Sequence, residues 1–248
     1  MSKKEPSEKC GPLDNFPKIH CPFIRQKFDV NHDDFKLHRN ALNLRSPEVY
    51  LAVDKINPGY EWVFEDEDTI AVEKLDGTNI TIFTNNSRLV LVQNRSRFID
   101  HLAVNKETHH LMEGIYWAMS REYMKKDGLQ SGELVGPKMQ SNPYKLQTHM
   151  WYPFEKTTKD LSYRCFHEHD KTYDNLSSWF DEYLISRFHT RLTPPDELSE
   201  KIMAEGIVFC NLKRKEEGKV WRAKLRRNMF RWYYDRTVRV SKIPKLDE

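Results

Sequence analysis

The chain has 248 residues, of which 38% are hydrophobic, 31% charged and 12% aromatic, enough for one large domain with an aromatic core under a charge-rich surface. Its 40 basic and 37 acidic residues leave a net charge of only +3, which excludes the broad cationic field of proteins that coat nucleic acid. Cysteines at 10, 21, 165 and 210 share neither close pairing nor metal-ligand spacing, and no apolar run suits a membrane span or a signal core, so a reduced, cytoplasmic protein is expected.

In chain order, residues 1–12 read as a disordered lead and 241–248 as a tail, with one domain over 13–240 that includes an N-terminal segment, 13–60. Asn15 to Phe28 carries Phe16, Ile19, Phe23, Ile24 and Phe28 between Pro17 and Pro22, the pattern of extended chain packed on a domain. Ser46-Pro47, in cap and first-turn positions, predicts a short helix over Ser46–Val53. Glu65 to Asp68 reads as a solvated turn into a strand at Thr69–Val72.

The stretch Val72 to Ile80 follows. Lys74, Asp76, Gly77, Thr78 and Asn79 place an amine, a carboxylate, a glycine and two small polar side chains between that strand and a second one, Ile80–Thr84. The glycine lets the backbone come close to a ligand, and the polar groups suit phosphate or ribose oxygens. Lysine beside Asp-Gly is also the composition of a surface hairpin turn, so the stretch alone leaves both readings open.

Thr78–Thr84 and Leu89–Gln93 predict a hairpin turning at Asn85-Asn86, which delivers Arg95 and Arg97 to the end of the sheet that carries Lys74. An amphipathic helix is predicted over Lys106–Lys126, with Leu111, Met112, Ile115, Tyr116 and Met119 on one face and Asp127-Gly128 ending it. His109 and His110 lie on it without a partner at metal spacing, so no ligand role is expected. Gln130–Val135 is a strand bearing Glu133, followed by the polar loop Gly136–Tyr144 and an aromatic run, Trp151–Phe154, suited to stacking on a base. His167 to Asp170 reads as a surface loop because adjacent strand residues alternate faces. Helices are predicted over Leu176–Phe188 and Pro195–Met203, and strands over Ala204–Phe209 and Val220–Arg226, joined by a basic hairpin, Lys213–Lys219. From Lys213 to Arg239, basic residues alternate with Trp221, Phe230, Trp232, Tyr233 and Tyr234, a mixture that fits phosphates and stacked bases and equally a solvated amphipathic tail.

Six of these pieces, in this order, resemble the motifs of the covalent nucleotidyltransferase superfamily of polynucleotide ligases and mRNA capping enzymes. Lys74-Leu75-Asp76-Gly77 resembles the motif whose lysine takes the nucleotide, and Thr78-Asn79 after it is similar to ATP-dependent RNA ligases. Arg95, or Arg97, matches the arginine after the first hairpin. Ser131-Gly132-Glu133-Leu134-Val135-Gly136 resembles the glutamate motif that holds the ribose, and Trp151 to Phe154 the aromatic one, with Phe154 stacking on adenine. Glu205-Gly206-Ile207-Val208 and Lys224-Leu225-Arg226 match the last two. The final pair departs from the two lysines of many relatives and can also be aligned as Arg222 and Lys224.

The resemblance implies an α+β, ATP-grasp-like adenylation fold of antiparallel sheets flanked by helices. Only 18 residues follow Phe230, so no C-terminal OB domain is expected, and RNA is gripped by this domain alone or with a partner subunit. It implies ATP and Mg²⁺ (or Mn²⁺) as cofactors, and RNA 5′-phosphate and 3′-hydroxyl ends as substrates. Lys74, Glu205 and Lys224 would be catalytic, with Glu205 holding the metal. Asp76, Gly77, Asn79, Arg95, Glu133, Phe154, Lys224 and Arg226 would join Lys74 in binding the nucleotide. A lysine of ordinary pKa, about 10.4, is protonated at neutral pH, so nearby cations must lower it for attack. A capping-type guanylyltransferase and a non-catalytic single-strand-binding module are the competing expectations.

Overall fold

A computed structural model describes residues 19–94, 97–168, 170–194, 200–211, 213 and 221–242. The expected disordered lead, Arg95 and all of the basic hairpin but Lys213 lie outside the described residues. The chain divides into two compact units: Leu75–Asp160 forms one, and Ile19–Lys74 with Leu161–Glu248 forms the other.

Along Ile19–Lys74, β1 (Phe23–Val30) leads to α1 (His32–His38), which Asn31 caps by accepting from the Asp33 and Asp34 N–H groups. β2 (Glu48–Ile56) pairs antiparallel with β1 where a helix was predicted. The reason is its period: Val49 and Leu51 are buried and Tyr50 is exposed, and this alternation of β-formers outweighs the Ser-Pro start signal. After α2 (Trp62–Glu65), the acidic residues form the expected turn, with Asp66 accepting from Asp68 N at 2.9 Å and from Asn211 Nδ2 at 2.6 Å. β3 (Thr69–Lys74) starts there.

Leu75–Asp160 contains β4 (Thr78–Asn85), β5 (Arg88–Asn94), β6 (Arg97–Phe98), α3 (Lys106–Ser120), β7 (Gly128–Val135), β8 (Met150–Pro153) and α4 (Phe154–Asp160). The strands make an antiparallel sheet in the order β6-β5-β4-β7-β8. Asn86 and Ser87, both in the left-handed region, close the β4–β5 hairpin one residue later than the predicted Asn85-Asn86, since Asn85 still pairs with Arg88. α3 ends at Ser120 instead of near Lys126, because Glu122 turns left-handed (φ 56°) and the N–H groups of Glu122 and Tyr123 return to Met119 O and Ala118 O. Its buried stripe is Leu111, Gly114, Ile115 and Ala118, while Tyr116 and Met119, expected on that stripe, are exposed. The stripe packs with Ile80, Ile82, Val92, Leu134 and Trp151.

From Leu161 onward come α5 (Tyr173–Ser178), a π-helical turn at Trp179–Tyr183, α6 (Arg187–Leu192), β9 (Gly206–Asn211), β10 (Arg222–Arg226), α7 (Trp232–Asp235) and β11 (Val240–Lys242). The predicted helix over Leu176–Phe188 is thus broken, with Ser186 leaving it to cap α6. Residues 195–199 of the next predicted helix lie outside the described residues, and Met203, at its end, makes a β-bridge to Ile185. β11 takes two residues assigned to the tail. Two antiparallel three-stranded sheets result, β11-β1-β2 and β10-β9-β3. The aromatic core under the second includes Phe23, Phe166, Phe180, Phe209 and Phe230.

This core also consumes much of the basic, aromatic tract. Phe230 and Tyr234 are buried, and Trp221 and Trp232 pack against the cluster. Arg231, Arg236 and Arg239 are paired with Asp235, Asp181 and Asp34. The tract is chiefly structural where it is described.

Candidate active site

The sheet β10-β9-β3 sorts the candidate residues by register. Residues directly opposite on antiparallel strands share a face, so Lys74, Gly206 and Arg226 form one row, and Val72, Val208 and Lys224 the row two residues on. The alternate positions Ala71, Glu73, Ile207, Phe209, Ala223 and Leu225 are all buried on the core side. Lys74, Lys224 and Arg226 therefore share the face turned away from the core. Gly206 keeps the middle of its row bare: an added Cβ would stand 2.1 Å from Leu225 O.

Glu205 lies immediately before β9 and joins the row. Its Oε2 is 2.5 Å from Lys74 Nζ and its Oε1 is 3.6 Å from Arg226 Nη1. The Lys74 and Glu205 side chains are about one-fifth exposed, at 23% and 20%, so the pair is screened from water yet reachable. Arg226 Nε is buried with no hydrogen-bond partner among the described residues, while the Arg226 side chain as a whole is 32% exposed. A carboxylate between two cations suits both an amine that must be held in place and a divalent ion taking oxygen ligands.

Behind the row stands Glu73, 2% exposed. Ser186 Oγ donates to its Oε1 at 2.6 Å and Phe188 N to its Oε2 at 2.8 Å. Burial outweighs these bonds and the nearby Arg187 and pushes the Glu73 carboxyl up to about 7. Sequence reasoning passed over Glu73, although strand alternation with Lys74 marks it as inward-facing. It ties the end of β3 to the start of α6.

The other candidates belong to the Leu75–Asp160 unit. Asn79 and Glu133 are register partners on β4 and β7, facing away from the α3 core, with Thr81 Oγ1 and Ser131 Oγ 2.7 Å apart in the next row of that face. Gly77 has a packing role. A Cβ there would meet Leu134 O at 2.3 Å and Glu133 Cγ at 2.9 Å, so the glycine lets the backbone approach the end of β7. Asp76 N donates to the buried Tyr144 hydroxyl at 2.9 Å and Gln140 Nε2 to Gly77 O at 3.1 Å, so the polar loop holds this stretch. In the aromatic run, Trp151 and Tyr152 are fully buried, while Phe154, at the start of α4, is partly exposed.

Comparison with known proteins gives a family model described as RNA ligase, matching residues 67–236. No curated protein matches. Among solved structures, an RNA ligase of Naegleria gruberi is similar in several forms. A glutamate-to-alanine variant with ATP and Mn matches at 15% identity and a TM-score of 0.40, covering 68% of this chain and 51% of that one. An arginine-to-alanine variant with ATP and Mn gives 16%, 0.42, 71% and 54%, and a form with PPi gives 16%, 0.40, 68% and 52%. The chain spans about half the length of those proteins.

Proposed function

The chain belongs to the RNA ligase family, and from that premise we propose that it is an ATP-dependent RNA ligase of the nucleotidyltransferase fold, joining 5′-phosphate and 3′-hydroxyl ends through a lysyl-AMP intermediate. The observation that carries this reading is the contact of Lys74 with Glu205 beside Arg226, on the open face of one sheet.

In the first step Lys74 Nζ, having lost a proton, attacks the α-phosphorus of ATP. A P–N bond forms, the bond to the bridging oxygen breaks, and pyrophosphate leaves. In the second, an oxygen of the RNA 5′-phosphate displaces the lysine and takes the AMP. In the third, the 3′-hydroxyl attacks the activated 5′-phosphorus, loses its proton and expels AMP. Each displacement gathers negative charge on phosphate oxygens, for which Arg226 and Lys224 are the cationic partners. Arg226 offers the planar fork that matches phosphate, and Lys224 a point charge.

Glu205 supplies carboxylate oxygens of the kind Mg²⁺ or Mn²⁺ takes, and the ion would neutralise phosphate charge. Through its other contact Glu205 holds Lys74 Nζ in place for attack. For the remaining residues the proposal follows the resemblance: Glu133 accepts from ribose hydroxyls, Phe154 stacks on adenine, Asp76 and Asn79 line the phosphates, and Arg95 pairs with them.

Incubation with ATP or GTP labelled at the α-phosphate tests the reading. ATP is expected to label the wild type and not Lys74→Ala, and the labelled protein to pass AMP to a 5′-phosphorylated RNA. A label surviving in Lys74→Ala removes the mechanism. Labelling by GTP alone selects a capping-type guanylyltransferase, and salt-sensitive RNA binding without any adduct selects a binding module.

A further inference from the structure

No metal role is expected for His109 and His110 from spacing alone, but α3 brings Glu113 beside them. Glu113 lies four residues after His109 and three after His110, spacings that share a helical face. One donor atom from each of the three side chains lies within 4.8 Å of the others. Donors around a tetrahedral zinc stand about 3.4 Å apart, given bonds of about 2.05 Å, so modest side-chain rotation closes the set. His110 Nδ1 is buried with no hydrogen-bond partner among the described residues.

The carboxylate is held from behind. Lys138 N donates to His149 Nε2 at 3.2 Å, which puts the proton of the neutral ring on Nδ1. That nitrogen then donates to Glu113 Oε2 at 2.6 Å, and His149 N donates to Oε1 at 3.2 Å. The His149 ring is 4% exposed, stacks on His110 at 4.4 Å, and lies so close to Gly136 that a Cβ there would meet it at 2.5 Å. A buried group that orients a ligand carboxylate in this way is the usual support of a transition-metal site.

We propose that His109, His110 and Glu113 bind one divalent transition ion of the zinc class on the outer side of α3, with His149 as the positioning residue behind Glu113. Two imidazoles and a carboxylate are donors for zinc, cobalt or nickel and poor ones for magnesium. The site is separate from the proposed phosphate chemistry, whose ion takes oxygen ligands, and it does not depend on the ligase reading.

The test is zinc titration of the chelator-treated full chain by calorimetry, with cobalt absorption as a second readout. The wild type is expected to take up one equivalent that is lost, or at least tenfold weaker, in His109→Ala, whose exposed side chain makes an unfolded variant easy to exclude by circular dichroism. His149→Ala weakens binding by about 10- to 100-fold, and His101→Ala leaves it unchanged. Bound cobalt gives the intense visible bands of four-coordination, and excess magnesium does not compete. Equal zinc uptake by wild type and His109→Ala, or no uptake at micromolar zinc, overturns the proposal.

Discussion

Replacing Glu73 with glutamine is expected to remove a pH dependence that the wild-type fold carries through neutrality. The buried carboxyl is protonated below about 7 in the folded chain, against an ordinary 4.5. Below pH 4.5 both the folded and unfolded groups hold their proton, and the full contribution to stability is present. Between 4.5 and about 7 the unfolded chain gives up its proton first, so stability falls as pH rises, and above about 7 the loss is complete. A shift of that size corresponds to about 3 kcal/mol. Glutamine stays neutral, accepts from Phe188 N and offers an N–H to Ser186 Oγ, so the difference in urea-unfolding free energy between wild type and Glu73→Gln should move by about 3 kcal/mol between pH 4.5 and 8 in favour of the variant. Since Glu73 faces away from Lys74, the variant should still form the ATP adduct. Parallel stability profiles would refute the argument.

Three further outcomes follow from the same geometry. Gly206→Ala drives a Cβ to 2.1 Å from Leu225 O and should destabilise the chain by about 2 kcal/mol or more in urea unfolding; an unchanged midpoint would mean the strands separate freely. Tyr144→Phe leaves the N–H of Asp76 without its 2.9 Å acceptor and should cost about 1 kcal/mol, read by thermal unfolding. Arg226→Lys keeps the charge and loses the fork, so under the ligase reading adduct formation should slow at least tenfold while unfolding is little changed; an unaltered rate would remove Arg226 from phosphate binding.

The sequence marked the strands around Lys74, the hairpin at Asn86 and the Glu205 and Lys224 segments, because alternation and turn chemistry are local. It misjudged β2, where a Ser-Pro start signal competed with a two-residue period and pairing with β1 decided the outcome. It placed the end of α3 six residues late because the terminator is a left-handed glutamate, not the glycine that usually marks such a turn. The ion pair from Glu205 to Lys74 and Arg226 depends on strand register, which spacing along the chain does not reveal. The His-His-x-x-Glu spacing of α3 was legible, but the contact of Glu113 with His149, the residue just before β8 and 36 positions on, was not.

The segment 75–160 leaves and rejoins its host at neighbouring points. Glu73 N donates to Leu161 O, Tyr163 N to Ala71 O, and Val72 bridges Ser162. The two ends of the segment are thus clamped by bonds that belong to the host alone, so a short glycine link from Lys74 to Leu161 has only a narrow gap to span.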